Sequence, residues 1–201
     1  MTDKRADVFR HWMDLIDTYT IGRALKDLTQ EEFDWEPLPG TWGIRRREDC
    51  TTANPTGAKD SEWVSDHDFE IAGAAFRGEA VEPMTTIGWL LNHFGAAPGL
   101  FAELEIVGGE TVPTQKGYAR MWGRTIIPTV DEAVTRFKTG WSALHRALES
   151  TTDDLLERDY DGHPWKRGDW ALAALLNEVS HHGTQICVVR DLYANRRDPT
   201  V

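Results

Sequence analysis

Cysteine is nearly absent from this sequence. Cys50, in a polar stretch, and Cys187, in a helical one, are the only two among 201 residues, which excludes both a disulfide framework and a zinc-finger pattern. Long apolar runs are missing too: the longest, Trp170 to Leu176, is far short of the roughly 20 residues that cross a bilayer. Basic residues are outnumbered, 22 Lys and Arg against 33 Asp and Glu, for a formal net charge of -11. Such a field repels polyanions and leaves no electrostatic footprint for DNA or RNA. Behind Met1-Thr2-Asp3-Lys4-Arg5 comes a mixed-charge amphipathic segment rather than the apolar stretch of a signal peptide. The expectation is a protein of the reducing cytoplasm, with neither nucleic acid nor membrane as a partner. No convincing strand alternation, internal repeat or low-complexity tract is found.

What is abundant is helical periodicity. Stepping about 100° per residue, apolar residues collect on one face of four segments. The first runs from about Ala6 to Leu28, with Val8, Trp12, Ile16 and Tyr19 sharing a face. The second follows Pro83, capped by Thr85 or Thr86, and extends to about Ile106 with Trp89, Leu90, Ala97, Leu100 and Leu104 inward. The third opens at Pro128-Thr129 and ends near Ser150; Asp131 and Glu132 in its first turn complement the helix dipole, and Val134, Phe137, Trp141 and Leu148 face inward. The fourth spans about Gly168 to Ala194. These segments predict an all-α fold, a four-helix bundle forming one domain over residues 1–201, with a long loop between the first and second main helices. That loop, from about Glu36 to Pro83, is rich in Gly, Pro, Asp and Thr and reads as a lid over one bundle end, with room for a short helix in Asp68 to Arg77. Nine tryptophans are many for this length. Trp35, Trp42, Trp63 and Trp165 fall in loops, where they either line a pocket or pin the loop to the bundle.

The residues that carry chemistry lie on the second and fourth segments. In Asn177-Glu178-Val179-Ser180-His181-His182-Gly183, Glu178 and His182 are one turn apart and about 40° different in direction. Their face also carries Ala171, Ala174, Leu175, Gln185, Val189 and Leu192, so the pair is expected inside the bundle. There an unpaired carboxylate needs a cation, a proton or a strong donor. His93 lies on the inner face of the second segment. Two imidazoles and one carboxylate are a common catalytic zinc set that leaves a position for water or substrate; nickel, iron or manganese is also compatible. Taken separately, His93 also reads as a packed core histidine, and Glu178 with His182 as an ion pair. His181, at i+3 from Glu178, competes with His182 for the ligand role, but its phase is nearer the flank. His145 on the third segment is a further ligand or, by preference, a packed histidine.

The stretches Thr86-Ile87-Gly88-Trp89-Leu90-Leu91-Asn92-His93 and Glu178-Val179-Ser180-His181-His182-Gly183-Thr184-Gln185 resemble the DinB/YfiT-like metal-dependent bundles. The resemblance implies a four-helix bundle with one metal ligand on the second helix and two on the last, here His93, Glu178 and His182. Most members of that family have histidine where this chain has Glu178. Glutamate there is similar to the branch that includes mycothiol-dependent maleylpyruvate isomerase, and it implies a zinc enzyme with a low-molecular-weight thiol as cosubstrate. The same branch shows Trp and Arg patterns like Trp42-Gly43-Ile44-Arg45-Arg46-Arg47, which makes Trp42 and Arg45 candidate substrate-binding residues, Arg45 as a bidentate carboxylate clamp; Arg46 and Arg47 read as a solvated basic run. His163, in Asp161-Gly162-His163-Pro164-Trp165, is a candidate proton shuttle. Related proteins often form dimers, so a homodimer is a candidate assembly.

The leading expectation is thus an S-transferase or isomerase in which the metal activates an external thiol toward a small electrophile. Neither cysteine fits as nucleophile, since Cys187 phases about 180° from Glu178. The alternatives are a metal-dependent hydrolase using water at the ion, and a non-catalytic bundle that binds a metal or a small ligand.

Overall fold

The computed structural model describes residues 4–108, 125–160 and 166–196. It is mostly helical. Helix α1, Lys4–Ile16, runs directly into a π-helical turn, Asp17–Ile21, and a last short turn, α2, Gly22–Ala24. In the π turn the Gly22 N–H reaches the Asp17 carbonyl five residues back. The first periodic segment is therefore helical as expected, but interrupted. Its inner face also differs: Ala6, Met13 and Ile16 are buried, whereas Val8 and Tyr19 are exposed.

A capping box at Thr29 and Glu32 starts α3, Gln30–Asp34. The connection that follows is folded rather than open. Strand β1, Ile44–Arg46, pairs antiparallel with β2, Trp63–Ser65, in the register Ile44↔Ser65, Arg45↔Val64 and Arg46↔Trp63. The all-α expectation is corrected here by this one strand pair; three-residue strands are too short for alternation to register in the sequence. Helix α4, Phe69–Phe76, occupies the stretch where a short helix had room, with the Asp68 carboxylate accepting from the N–H groups of Glu70 and Ile71.

The second segment is a broken helix. Thr86 Oγ1 accepts the Trp89 N–H at 3.0 Å and starts α5, Ile87–Phe94; α6, Ala97–Ala102, follows after Gly95-Ala96, with proline in its first turn. Pro98 has no N–H to continue the α5 ladder, but suits a new helix start. Two longer helices complete the chain: α7, Val130–Ala147, and α9, Gly168–Ala194, separated by the short α8, Asp153–Glu157.

Helix α9 packs against α1, the π turn and α5, while α6 lies along α7. Phe33, Phe94 and Phe137 are among the fully buried side chains, each contributing about 1.5–3 kcal/mol of burial. Two glycine contacts set the spacing. A Cβ on Gly140 would lie 2.5 Å from the Gly99 nitrogen, so α6 and α7 meet backbone to backbone. A Cβ on Gly183 would lie 2.7 Å from Thr20 Cγ2, so glycine there seats the π turn against α9, one residue from His182. No helix among the described residues is long and apolar enough to cross a membrane.

Candidate metal centre

The i, i+4 spacing on α5 lays Trp89 and His93 side by side, with ring centroids 4.7 Å apart and planes 11° from parallel. Trp89 is itself fixed, because its indole N–H donates to the Asp66 carbonyl at 2.6 Å. The same spacing on α9 brings His182 Nε2 to 3.0 Å from Glu178 Oε2. Across the helix pair, His93 Nε2 is 4.0 Å from that same oxygen. One ligand atom from each of His93, Glu178 and His182 thus falls within 4.8 Å of the others.

The imidazole of His182 is held on several sides. Its Nδ1 lies 2.6 Å from Gln185 Oε1; with Nδ1–H donating to that oxygen, Nε2 is the nitrogen directed at the cluster. Phe94 stacks on the ring at a centroid distance of 5.8 Å and an angle of 14°. The hydrogen bond from His182 is the main cause holding the Glu178 carboxyl below its usual range; burial opposes it, and the His182 and His181 charges assist it. Two imidazole nitrogens and one carboxylate oxygen facing a common point fit a divalent transition metal, and match the donor set of catalytic zinc.

Burial corrects one premise of the sequence reading. The Glu178 side chain is 48% exposed, against 11% for His182, so the carboxylate stands at the edge of the bundle instead of inside it. Leu192, placed on the same inner stripe, is exposed as well. His93 and His182, and Asn177 next to Glu178, line a cleft of about 820 Å³, whose walls also include His67, Met84, Trp89, Gln185 and Val188. His67 comes from the connection between β2 and α4; burial pushes its imidazole below the usual range. His181 lines the cleft from α9, next to the converging group but not part of it.

The loop candidates lie elsewhere. Trp42 is buried beneath the cleft wall, 5.3 Å from the His67 ring and 6.0 Å from Trp89, and its backbone joins Thr85 in a parallel bridge. Arg45 donates through Nε to Asp66 at 2.7 Å and through Nη2 to the Thr41 carbonyl at 3.1 Å, and pairs with Glu36 at 2.8 Å. Neither Trp42 nor Arg45 is among the described residues that line the cleft. Arg46 pairs with Glu62 and covers Trp63, and Arg47 donates to the Ser61 and Ala58 carbonyls. Of the loop tryptophans, Trp35 packs edge-on against Tyr193. His145 is paired with Asp14 at 3.2 Å between α7 and α1. His163 and Trp165 lie outside the described residues. Cys187 is buried with its thiol pKa raised by that burial, and Cys50 donates to Asp66; neither lines the cleft.

Sequence reasoning missed two contributors. Gln185 was visible only as a member of the inner stripe, although its i+3 spacing from His182 permits the contact. Asp66 gave no local signal: its carboxylate meets Gly43, Arg45 and Cys50 only once the hairpin has formed.

No curated protein and no solved structure matches the chain. A match does exist at the level of family, over residues 20–186, to the model described as DinB superfamily. That span takes in α5, the hairpin and α9 as far as Gln185 and Ile186, the parts that build the His93, Glu178 and His182 group, and the chain belongs to the DinB superfamily.

Proposed function

We propose that this chain is a metal-dependent enzyme, built as a single four-helix-bundle domain, that uses His93, Glu178 and His182 to hold one divalent ion, zinc in the first instance. The observation that carries the reading is the convergence of three donors from two helices at the edge of an aromatic-walled cleft. The superfamily typically binds metal. When bound, such an ion supplies a Lewis acid that lowers the pKa of a thiol or water it polarises. The residues around it do the positioning. Gln185 fixes the ring of His182, Trp89 and Phe94 brace the two imidazoles, and the Glu178 carboxylate adds the negative charge that favours a cation over a neutral guest. Because neither Cys50 nor Cys187 reaches the cleft, the reacting thiol is a low-molecular-weight one such as mycothiol, brought in for S-transfer to, or isomerisation of, a small electrophile.

A second reading, a metal-dependent hydrolase, is favoured by one observation: His67 and His181 place two imidazoles on the cleft wall that can take a proton from water. Both readings share a test. Elemental analysis of the purified protein is expected to find about one metal ion per chain, and His93→Ala and His182→Ala each to weaken retention by at least about a hundredfold. Protein that carries no metal after expression in supplemented medium removes both readings. Assays with mycothiol, bacillithiol, glutathione and no thiol then separate them, since turnover of an ester or amide without thiol selects the hydrolase.

A further inference from the structure

The cleft beside the donor group has an electrostatic character that bears on its substrate. Among the described residues that line it there is no lysine and no arginine, while Glu82 and the neighbouring Glu178 are acidic. The basic side chains of the surrounding elements are committed elsewhere. Arg45 is held by Asp66 and Glu36. Arg190, directly after the lining residue Val189, donates to Glu32 and to the carbonyls of Arg23 and Lys26. Arg77, at the end of α4, pairs with Glu79. His67 adds no cation at neutral pH, since burial disfavours its charged form.

The remaining lining divides into two kinds. Met84, Trp89 and Val188 offer apolar and aromatic surface, while Asn177, Ser180 and Thr184 present amide and hydroxyl groups along α9. A ligand anchored at the ion would therefore meet one positive centre, then a wall able to hydrogen-bond hydroxyls and cover an apolar body but, among the described lining residues, no lysine or arginine to neutralise a second negative charge. Desolvating an anion without a partner is costly, and a nearby like charge adds to the cost.

Resting on the metal-site reading above, we propose that the cleft selects small molecules carrying at most one anionic end, with an uncharged, partly apolar remainder, and discriminates against dicarboxylates and other dianions. The discriminating feature is the lining itself: Glu82 at one side, and Trp89, Val188 and the hydroxyls of α9 elsewhere.

Two probes that share a metal-binding end and differ by one carboxylate test this: benzohydroxamate and 4-carboxybenzohydroxamate, titrated calorimetrically into the zinc-loaded protein at about pH 8, where ordinary imidazoles are neutral. The carboxylated probe is expected to bind at least about tenfold more weakly. Thr184→Lys, an exposed substitution on the cleft wall, is expected to close most of that gap, and Glu82→Gln to narrow it. Equal or tighter binding of the carboxylated probe to the unmodified protein overturns the proposal. A second arm needs no zinc: proton line broadening of benzamide and of benzoate with the metal-free protein. Preference for benzamide supports the proposal and preference for benzoate overturns it. Failure of the protein to take up zinc counts against the metal-site reading alone, because the benzamide and benzoate pair still tests the lining.

Discussion

Two carboxylates, Asp66 and Glu178, show how differently the same group is used in this protein. Asp66, directly after β2, has a side chain 3% exposed and a nearly complete set of donors: the Gly43 N–H at 2.9 Å, Arg45 Nε at 2.7 Å and the Cys50 thiol at 3.3 Å. Glu178, on α9, is about half exposed, and one His182 nitrogen lies at hydrogen-bond distance from it. A buried carboxylate whose lone pairs are filled holds a fold together and has nothing left for a ligand. An edge carboxylate grouped with two imidazoles keeps acceptor capacity for a cation. The difference separates the scaffold from the site, and substitutions that undo it are expected to act most strongly at Asp66 and least at Glu178.

The largest effect belongs to Asp66. Asp66→Ala leaves the Gly43 N–H without its acceptor and removes one of the two carboxylates on Arg45. The expected loss is about 3 kcal/mol in urea denaturation, the low end for breaking a buried pair, because Arg45 is only partly buried and keeps Glu36 at 2.8 Å. Metal affinity of the folded fraction is expected to change little. A variant as stable as the parent would show that the hairpin does not depend on this hub.

The contrast also explains what the sequence disclosed. The convergence of His93, Glu178 and His182 was legible because each lies on a helix, where a fixed step of about 100° converts spacing into direction. The same arithmetic placed Val8 and Tyr19 inward, and there it failed, since burial depends on which neighbour covers a face. It also put Glu178 inside, although its side chain is 48% exposed. The breaks in the first and second segments come from the π turn at Asp17–Ile21 and from Pro98 after Gly95, both local departures from the period. Asp66 and Arg45 stayed hidden for another reason: their pairing is 21 residues apart and depends on the register of two three-residue strands. Arg45 reads in the sequence as a candidate substrate residue; in the fold it meets Asp66, Glu36 and the Thr41 carbonyl.

An intermediate effect is expected from Gln185, which keeps the ring of His182 in place without touching the ion. Gln185→Leu preserves side-chain bulk and removes the acceptor 2.6 Å from Nδ1. Loss of such an orienting partner lowers metal affinity by about 10–100-fold, measured by competition with a chromophoric chelator. Gln185→Glu supplies an acceptor again and is expected to recover most of the affinity, which a merely space-filling role would not require. Unchanged affinity in Gln185→Leu would mean that Phe94 and Glu178 alone set the ring.

The smallest effect is the pH dependence of Glu178 in the metal-free protein, and its sign follows from the direction of the shift. The folded-state carboxyl titrates below its ordinary value of 4.5, first because of the His182 hydrogen bond, against the opposing effect of burial. A depressed acid contributes stability that is present above the unfolded pKa and is lost as pH falls through the folded one. The stability difference between the parent and Glu178→Gln should therefore be fully present somewhat above pH 4.5 and should fade at more acid pH. With the side chain 48% exposed, solvent screening keeps that difference below about 1 kcal/mol. Urea denaturation of both proteins across this range measures it. A difference that persists unchanged into strong acid would mean that the Glu178 carboxylate is not held by His182, and that the two residues are brought together by the backbone of α9 alone.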